Sequence, residues 1–174
     1  MPISYTTRRI LCSTPADLDE ERELFLAANA EFSEQVALPN QVLFAVASFR
    51  EPFDPYAHRH AVQGNLRMVD FFVHIYGERA PEPIYQDFVR DALKYLADPA
   101  RPLSKTVVFF KSPHSDETLR GYHEALATDE RCQVRVYSDA KNLAEQFREV
   151  LTEWYATVPL KSQSVPAQSS QTSA

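Results

Sequence analysis

Three observations predict a doubly wound α/β fold. Five short apolar runs rich in strand-forming residues recur along the chain, and a segment with helical apolar spacing follows each. The runs are apolar almost throughout instead of alternating, the pattern of strands buried on both faces and so of a parallel sheet between helical layers. The first run passes into a helix start with almost no loop, the opening half of a βαβ unit.

That junction, Arg-Ile-Leu-Cys-Ser-Thr-Pro-Ala-Asp-Leu-Asp-Glu-Glu-Arg-Glu-Leu-Phe at residues 9–25, organises the rest. Ile10, Leu11 and Cys12 form the strand. Thr14 is placed as helix N-cap, Pro15 at the first helical position and Asp17 at the third, an Asp version of the capping box. Acids at 17, 19, 20 and 21 suit the positive end of the helix dipole. The helix is expected from Pro15 to about Val36, with Leu18, Leu24, Phe25, Ala28, Phe32 and Val36 on its apolar stripe, and Leu38-Pro39-Asn40 ends it.

Val42–Phe49 reads as a second strand, and Pro52 and Pro55 make Arg50–Tyr56 a loop. A helix over about Ala57–Val69 turns Val62, Leu66 and Val69 inward and is interrupted by Gly64. Asp70 precedes a third strand, Phe71-Phe72-Val73-His74-Ile75-Tyr76-Gly77, and Glu78–Pro83 is a loop with two prolines. Residues 84–97 form a helix carrying Ile84, Phe88, Ala92 and Tyr95 or Leu96. Thr106–Phe110 is the fourth strand, and Ser115, Asp116 and Glu117 open a helix through Leu119, Tyr122 and Leu126. Gln133–Tyr137 is the fifth strand. The last helix, about Ala140–Ala156, spaces Leu143, Phe147, Val150, Leu151 and Trp154 along one face. Beyond it a Ser/Gln-rich stretch lacks any apolar period, so the expected organisation is one domain over 1–158 and a disordered tail over 159–174.

Right-handed crossovers and this length favour the flavodoxin-like strand order 2-1-3-4-5. The order reverses between strands one and three, which places a crevice between the Ser13-Thr14 turn and the Gly77–Pro83 loop. Open α/β folds keep their ligands at such a point.

Composition narrows what the crevice takes. A net charge of −6 with no basic run longer than Arg8-Arg9 argues against a nucleic-acid partner. No signal peptide and no apolar stretch of bilayer length is present, so the expected compartment is the cytoplasm, with no membrane partner. The three glycines, Gly64, Gly77 and Gly121, are too scattered for a Walker A loop or a G-x-G-x-x-G turn. Cys12 and Cys132 lie in or beside apolar strands and read as buried reduced thiols; Cys12 as a nucleophile has no nearby His to activate it.

Each remaining candidate carries two readings. Ser13 and Thr14 are ligand contacts or capping groups, and Arg79 holds a carboxylate or phosphate or is a surface residue. Arg22 contacts a ligand or pairs with Asp19 three residues before it. Asp70 orients a loop in a structural role. His58 and His60 after Asp54 suggest a metal without a matching third ligand, and His74 in mid-strand suggests a hydrogen-bonded core histidine. Phe49, Phe53 and Tyr56 form a self-association patch or anchor their loop.

The opening motif resembles a TIR-like family of domains of unknown function, often found N-terminal to STAND-type NTPase or TPR modules. Ser13, Thr14, Asp17, Leu18, Glu21 and Arg22 fill the places of its motif. Asp70 before a strand, Gly77 and Arg79 at its end, and Phe-Phe-Lys at 109–111 extend the likeness over about residues 8–155. The resemblance implies a TIR-like, flavodoxin-like fold. Related TIR domains and nucleoside deoxyribosyltransferases place a Glu early in the helix after strand three, where it attacks or stabilises the sugar C1′ as an N-glycosidic bond breaks. Here the run is Ile84-Tyr85-Gln86-Asp87-Phe88, with Tyr85 in place of the first Glu and Asp87 in place of the Glu before Phe; Glu82 lies in Pro81-Glu82-Pro83. Asp is one methylene shorter, an offset of roughly 1 Å that can cost about 10²-fold in rate.

Two functions are therefore expected. The first is a signalling or interaction domain, catalytically weak or inert, that recognises a nucleotide-type ligand or protein partner in the crevice, self-associates, needs no cofactor and meets a STAND or TPR-type protein in trans. The second is an N-glycosidase acting on NAD or a nucleoside, with Glu82 or Asp87 facing the sugar cation and Ser13 and Arg79 positioning it.

Overall fold

A computed structural model describes residues 4–50, 55–79 and 82–159. Five parallel strands, β1 (Thr6–Thr14), β2 (Val42–Arg50), β3 (Phe71–Tyr76), β4 (Lys105–Lys111) and β5 (Gln133–Tyr137), form one sheet in the order β2-β1-β3-β4-β5. This is the flavodoxin-like arrangement the sequence predicts. The helices are α1 (Asp19–Phe32), α2 (Pro55–Leu66), α3 (Pro83–Leu96), α4 (Glu117–Ala127) and α5 (Ala140–Ala156). None among the described residues is long and apolar enough to cross a membrane. Residues 160–174, most of the expected tail, lie outside the described residues, as do Phe53, Asp54 and the side chains of Phe49, Tyr56 and His58.

Side-chain alternation divides the core in two. Ile10, Cys12, Val73, Ile75, Val107 and Phe109 face α1 and α5, while Leu11, Phe72, Tyr76, Val108 and Phe110 face α2, α3 and α4. On the first side Trp154 lies flat on Phe71, with ring centroids 4.4 Å apart, and Phe147 stacks on Phe25 at 3.8 Å. On the second, α2 and α3 are joined along their length by polar rungs: Arg59 to Asp87 at 2.8 Å, Gln63 to Asp91 at 3.1 Å and Arg67 to Tyr95 at 3.3 Å.

The first helix departs from expectation. Thr14 is the last residue of β1 and fully buried, and α1 begins at Asp19, so no Thr14 capping box forms. The bulk of Leu18 decides this: it packs in the core above Gly77, where a Cβ would meet its Cδ2 at 3.0 Å. Residues 15–18 are spent on a turn, Leu18 N–H to Pro15 C=O at 3.4 Å, that delivers Leu18 there. The far end also differs. Past Phe32 the helix widens into a π turn over Ser33–Ala37 and tightens into a 3₁₀ turn over Leu38–Asn40. Gln41, at φ 59°, then turns the chain into β2. Helix α2 runs three residues short of Val69, which is buried beyond its end.

At the amino end of the sheet, Asp70 fastens three strands. Its carboxylate accepts from Arg8 Nη1 at 3.0 Å and from the Arg9 backbone N–H at 2.8 Å. Its own N–H donates to Arg9 C=O at 2.9 Å, and its carbonyl accepts from the Ser104 N–H at 2.8 Å and Oγ at 3.1 Å. This is the structural role expected of Asp70. Replacing Asp70 with Ala removes two charge-assisted bonds and should lower unfolding free energy by about 2–4 kcal/mol, measured by urea denaturation.

Candidate functional site

At the carboxyl end of the sheet a cavity of about 380 Å³ opens between the start of α1 and the end of β3. Five carboxylates line it, Asp17, Asp19, Glu20, Glu21 and Glu78, against two cations, Arg79 and Lys111. The acids are there because α1 starts at Asp19: with Leu18 as an N-cap that offers no side-chain oxygen, the first-turn acids are the groups that complement the dipole. Asp19 also pairs with Arg22 at 2.9 Å, the ion pair expected from their spacing.

Lys111, at the end of β4, reaches across to the buried Glu21 at 3.1 Å and to the exposed Glu78 at 3.6 Å. Burial pulls the lysine down, but the two carboxylates outweigh it and hold the ammonium above its usual range. Tyr137 donates to the Tyr76 carbonyl at 3.0 Å. Burial first, then the nearby Glu21, Asp17 and Glu78, pushes its hydroxyl far up, so it stays protonated.

The candidate residues separate into three environments. Gly77 is buried under Leu18 and does not itself line the cavity, and Arg79 is exposed at its rim. Ser13 and Thr14 are fully buried at the end of β1 and do not line the cavity. Their hydroxyls have no hydrogen-bond partner among the described residues, and neither does Ser48 Oγ or Arg22 Nη1. Glu82 is the exposed N-cap of α3 and makes no capping bond through its side chain.

Asp87 sits in the second turn of α3 between two guanidinium groups, with Oδ2 2.8 Å from Arg59 and Oδ1 2.5 Å from Arg90. Both oxygens are therefore engaged. Tyr85 is a core residue at 2% exposure, its ring 5.4 Å from His74 and 6.0 Å from Phe88. His74 is fully buried beside Tyr76 at 4.2 Å.

Both cysteines are buried and reduced, as expected. Burial raises the Cys12 thiol far above its ordinary range and pushes Cys132 up to about 12, so neither is a thiolate at neutral pH. His60 is exposed, and no group of three or more potential metal ligands occurs among the described residues.

Two features were not among the expected site residues. Lys111 is the cation that organises the acids, and its place, first after the apolar run of the fourth strand, is the signal that could have found it. The other is a histidine pair behind it: His114 Nδ1 lies 2.7 Å from the Lys111 carbonyl, and its Nε2 is 3.3 Å from His123 Nδ1. A carbonyl only accepts, so His114 Nδ1 carries hydrogen and its Nε2 accepts from His123 when both rings are neutral. Phe110 stacks on His123 at 4.5 Å.

No family model matches the chain, and no curated protein matches it.

Burial, and then the facing His114, lowers the His123 pKa from its ordinary 6.5. The unfolded chain thus takes this proton more readily. The stabilisation is complete above about pH 6.5 and is lost as pH falls through that value towards the lower folded one. Thermal melts from neutral pH down to about pH 5 should show a shallower loss of stability in His123→Gln than in the parent. A separate outcome concerns Lys111→Met. It leaves Glu21 buried without its cation and should cost about 2 kcal/mol in urea denaturation, most of it recovered in the double variant with Glu21→Gln.

Proposed function

We propose that the protein is a TIR-like interaction module that recognises a cationic group of a protein partner in the acidic cavity and does not break glycosidic bonds. The observation that carries this reading is the division of the carboxylates. Those positioned to meet a ligand are gathered around Lys111 in the cavity, whereas Asp87, the acid standing where related enzymes keep theirs, is occupied by Arg59 and Arg90. A carboxylate that stabilises a sugar cation needs a free oxygen facing the reacting carbon. Asp87 would have to surrender a guanidinium first, and Tyr85 supplies a buried phenol in place of a second acid.

Between a nucleotide and a protein, charge favours the protein. The pyrophosphate of a dinucleotide entering the cavity faces five carboxylates, with Arg79 the one lining cation not already paired to an acid among the described residues. A Lys or Arg side chain meets the opposite field. The resemblance implies a STAND-NTPase or TPR-type protein as the partner in trans, acting in the cytoplasm.

Incubation of concentrated protein with NAD is expected to release no nicotinamide above a buffer control. Release that Glu82→Ala or Asp87→Ala abolishes would instead establish the enzyme and identify its carboxylate. In parallel, an arginine-rich hexapeptide should shift the backbone amide resonances of Glu20, Glu21 and Glu78, whereas NAD should not. Glu20→Lys with Glu78→Lys should weaken that peptide by about tenfold or more, with a steep salt dependence.

A further inference from the structure

The two edges of the sheet are unequally protected, and the difference can be read residue by residue. The Gln41 carbonyl accepts from Thr6 N–H on β1 at 2.8 Å. Because a peptide unit is planar with N–H and C=O opposed, the N–H of Val42 points away from β1. Alternation along the strand then sends the backbone groups of Val42, Phe44, Val46, Ser48 and Arg50 outward. The Phe44 carbonyl confirms this parity: it accepts from the Asn29 side chain of α1 at 3.2 Å. Past Phe44 no described residue takes a hydrogen bond from the outer edge of β2. Residues 45–48, Ala-Val-Ala-Ser, are half-exposed and uncharged.

The opposite edge is closed. The Tyr137 carbonyl accepts from Ser112 N–H at 2.8 Å, so in β5 only Val134 and Val136 face outward. Gln146 of α5 covers the Val136 carbonyl at 2.6 Å, and the strand is only five residues long. It also carries Arg135, held by Glu149 and Glu153 at 2.7 Å each. Short length, a charged side chain and a covering amide are how edge strands resist pairing. β2 is nine residues long, its one charge, Arg50, stands at its very end, and beyond Asn29 nothing among the described residues covers its outer edge.

We propose that β2 is a dimerisation edge and that its occupant is the β2 strand of a second copy, paired antiparallel about a two-fold axis near Ser48. Pairing there sets Ser48 against its own copy and Val46 against Arg50 of the copy, so the outward N–H and C=O groups of residues 46–50 are exchanged beyond the point Asn29 blocks. The one charge in the paired stretch, Arg50, stands opposite Val46 of the copy and not opposite the second Arg50, so the strand meets itself without like charges face to face, which an isologous contact requires. A single open edge also decides the stoichiometry. Two five-stranded sheets join into one, both free edges of the joined sheet are the guarded β5, and growth stops at the dimer.

The test is amide hydrogen exchange of the full chain across roughly a hundredfold dilution, with sedimentation at each step. The amides of Val46 and Ser48 are expected to be protected when concentrated and to lose that protection as the dimer dissociates, while the amide of Val134 is unchanged. Val46→Lys, which sets a lysine opposite Arg50 of the copy, should raise the dissociation constant at least tenfold, with the fold of the monomer checked by circular dichroism at the dilute end. A chain that remains monomeric when concentrated overturns the proposal. So does protection at Val46 and Ser48 that is independent of concentration, which would mean that another segment of the same chain covers the edge. A dimer whose β2 amides stay unprotected would place the interface elsewhere.

Discussion

The fold hangs on the way Asp70 ties the amino ends of its central strands. β1, β3 and β4 come from distant parts of the chain, and parallel strands have no tight turn to set their register. One residue supplies what a hairpin supplies elsewhere: its carboxylate grips the Arg8–Arg9 segment, and its main chain joins Arg9 to Ser104. With the register set there, every side chain at the carboxyl ends has a determined face. The acidic cavity, the buried Ser13 and the arginine-clamped Asp87 all follow from that alignment.

How far this architecture was legible depended on whether a residue's role is settled by its neighbours in sequence or by distant ones. The fifth strand and the last helix stand at the expected positions because apolar period and length decide them, and Asp139 caps the helix through a local bond to Asn142. The Thr14 capping box failed for the opposite reason. The Thr-Pro-Ala-Asp run is a good local cap, but the socket for Leu18 above Gly77 is made by β3, and it outweighs the cap. Likewise, nothing near Tyr85 in sequence says that it belongs to the core, or that Asp87 has Arg59 as a partner; α2 had to be placed first.

Lys111 links two parts of the molecule through its two ends. Its ammonium serves the cavity acids, and its carbonyl holds His114, which in turn meets His123 of α4. A change that alters the ring orientation of His114 therefore acts on the main chain of the residue whose side chain sets the charge of the cavity. The same local economy appears in α1, where Glu21 faces Lys111 while its neighbour Arg22 turns to Asp19.

The rungs between α2 and α3 have a mechanical consequence. They recur every four residues on both helices, at 59 with 87, 63 with 91 and 67 with 95, so the helices are geared in step like two racks. Bending one against the other strains every rung. A slide of one rung spacing, about 6 Å of helix rise, would set Arg59 against Asp91 and Gln63 against Tyr95 and leave Arg67 on one side and Asp87 on the other without a partner across the seam. The pair is thus stiff against tilt, and the burial of Val62, Leu66, Phe88 and Val89 in the core holds it against an axial step. Such a step would draw Arg59 off Asp87 and leave that carboxylate with Arg90 alone.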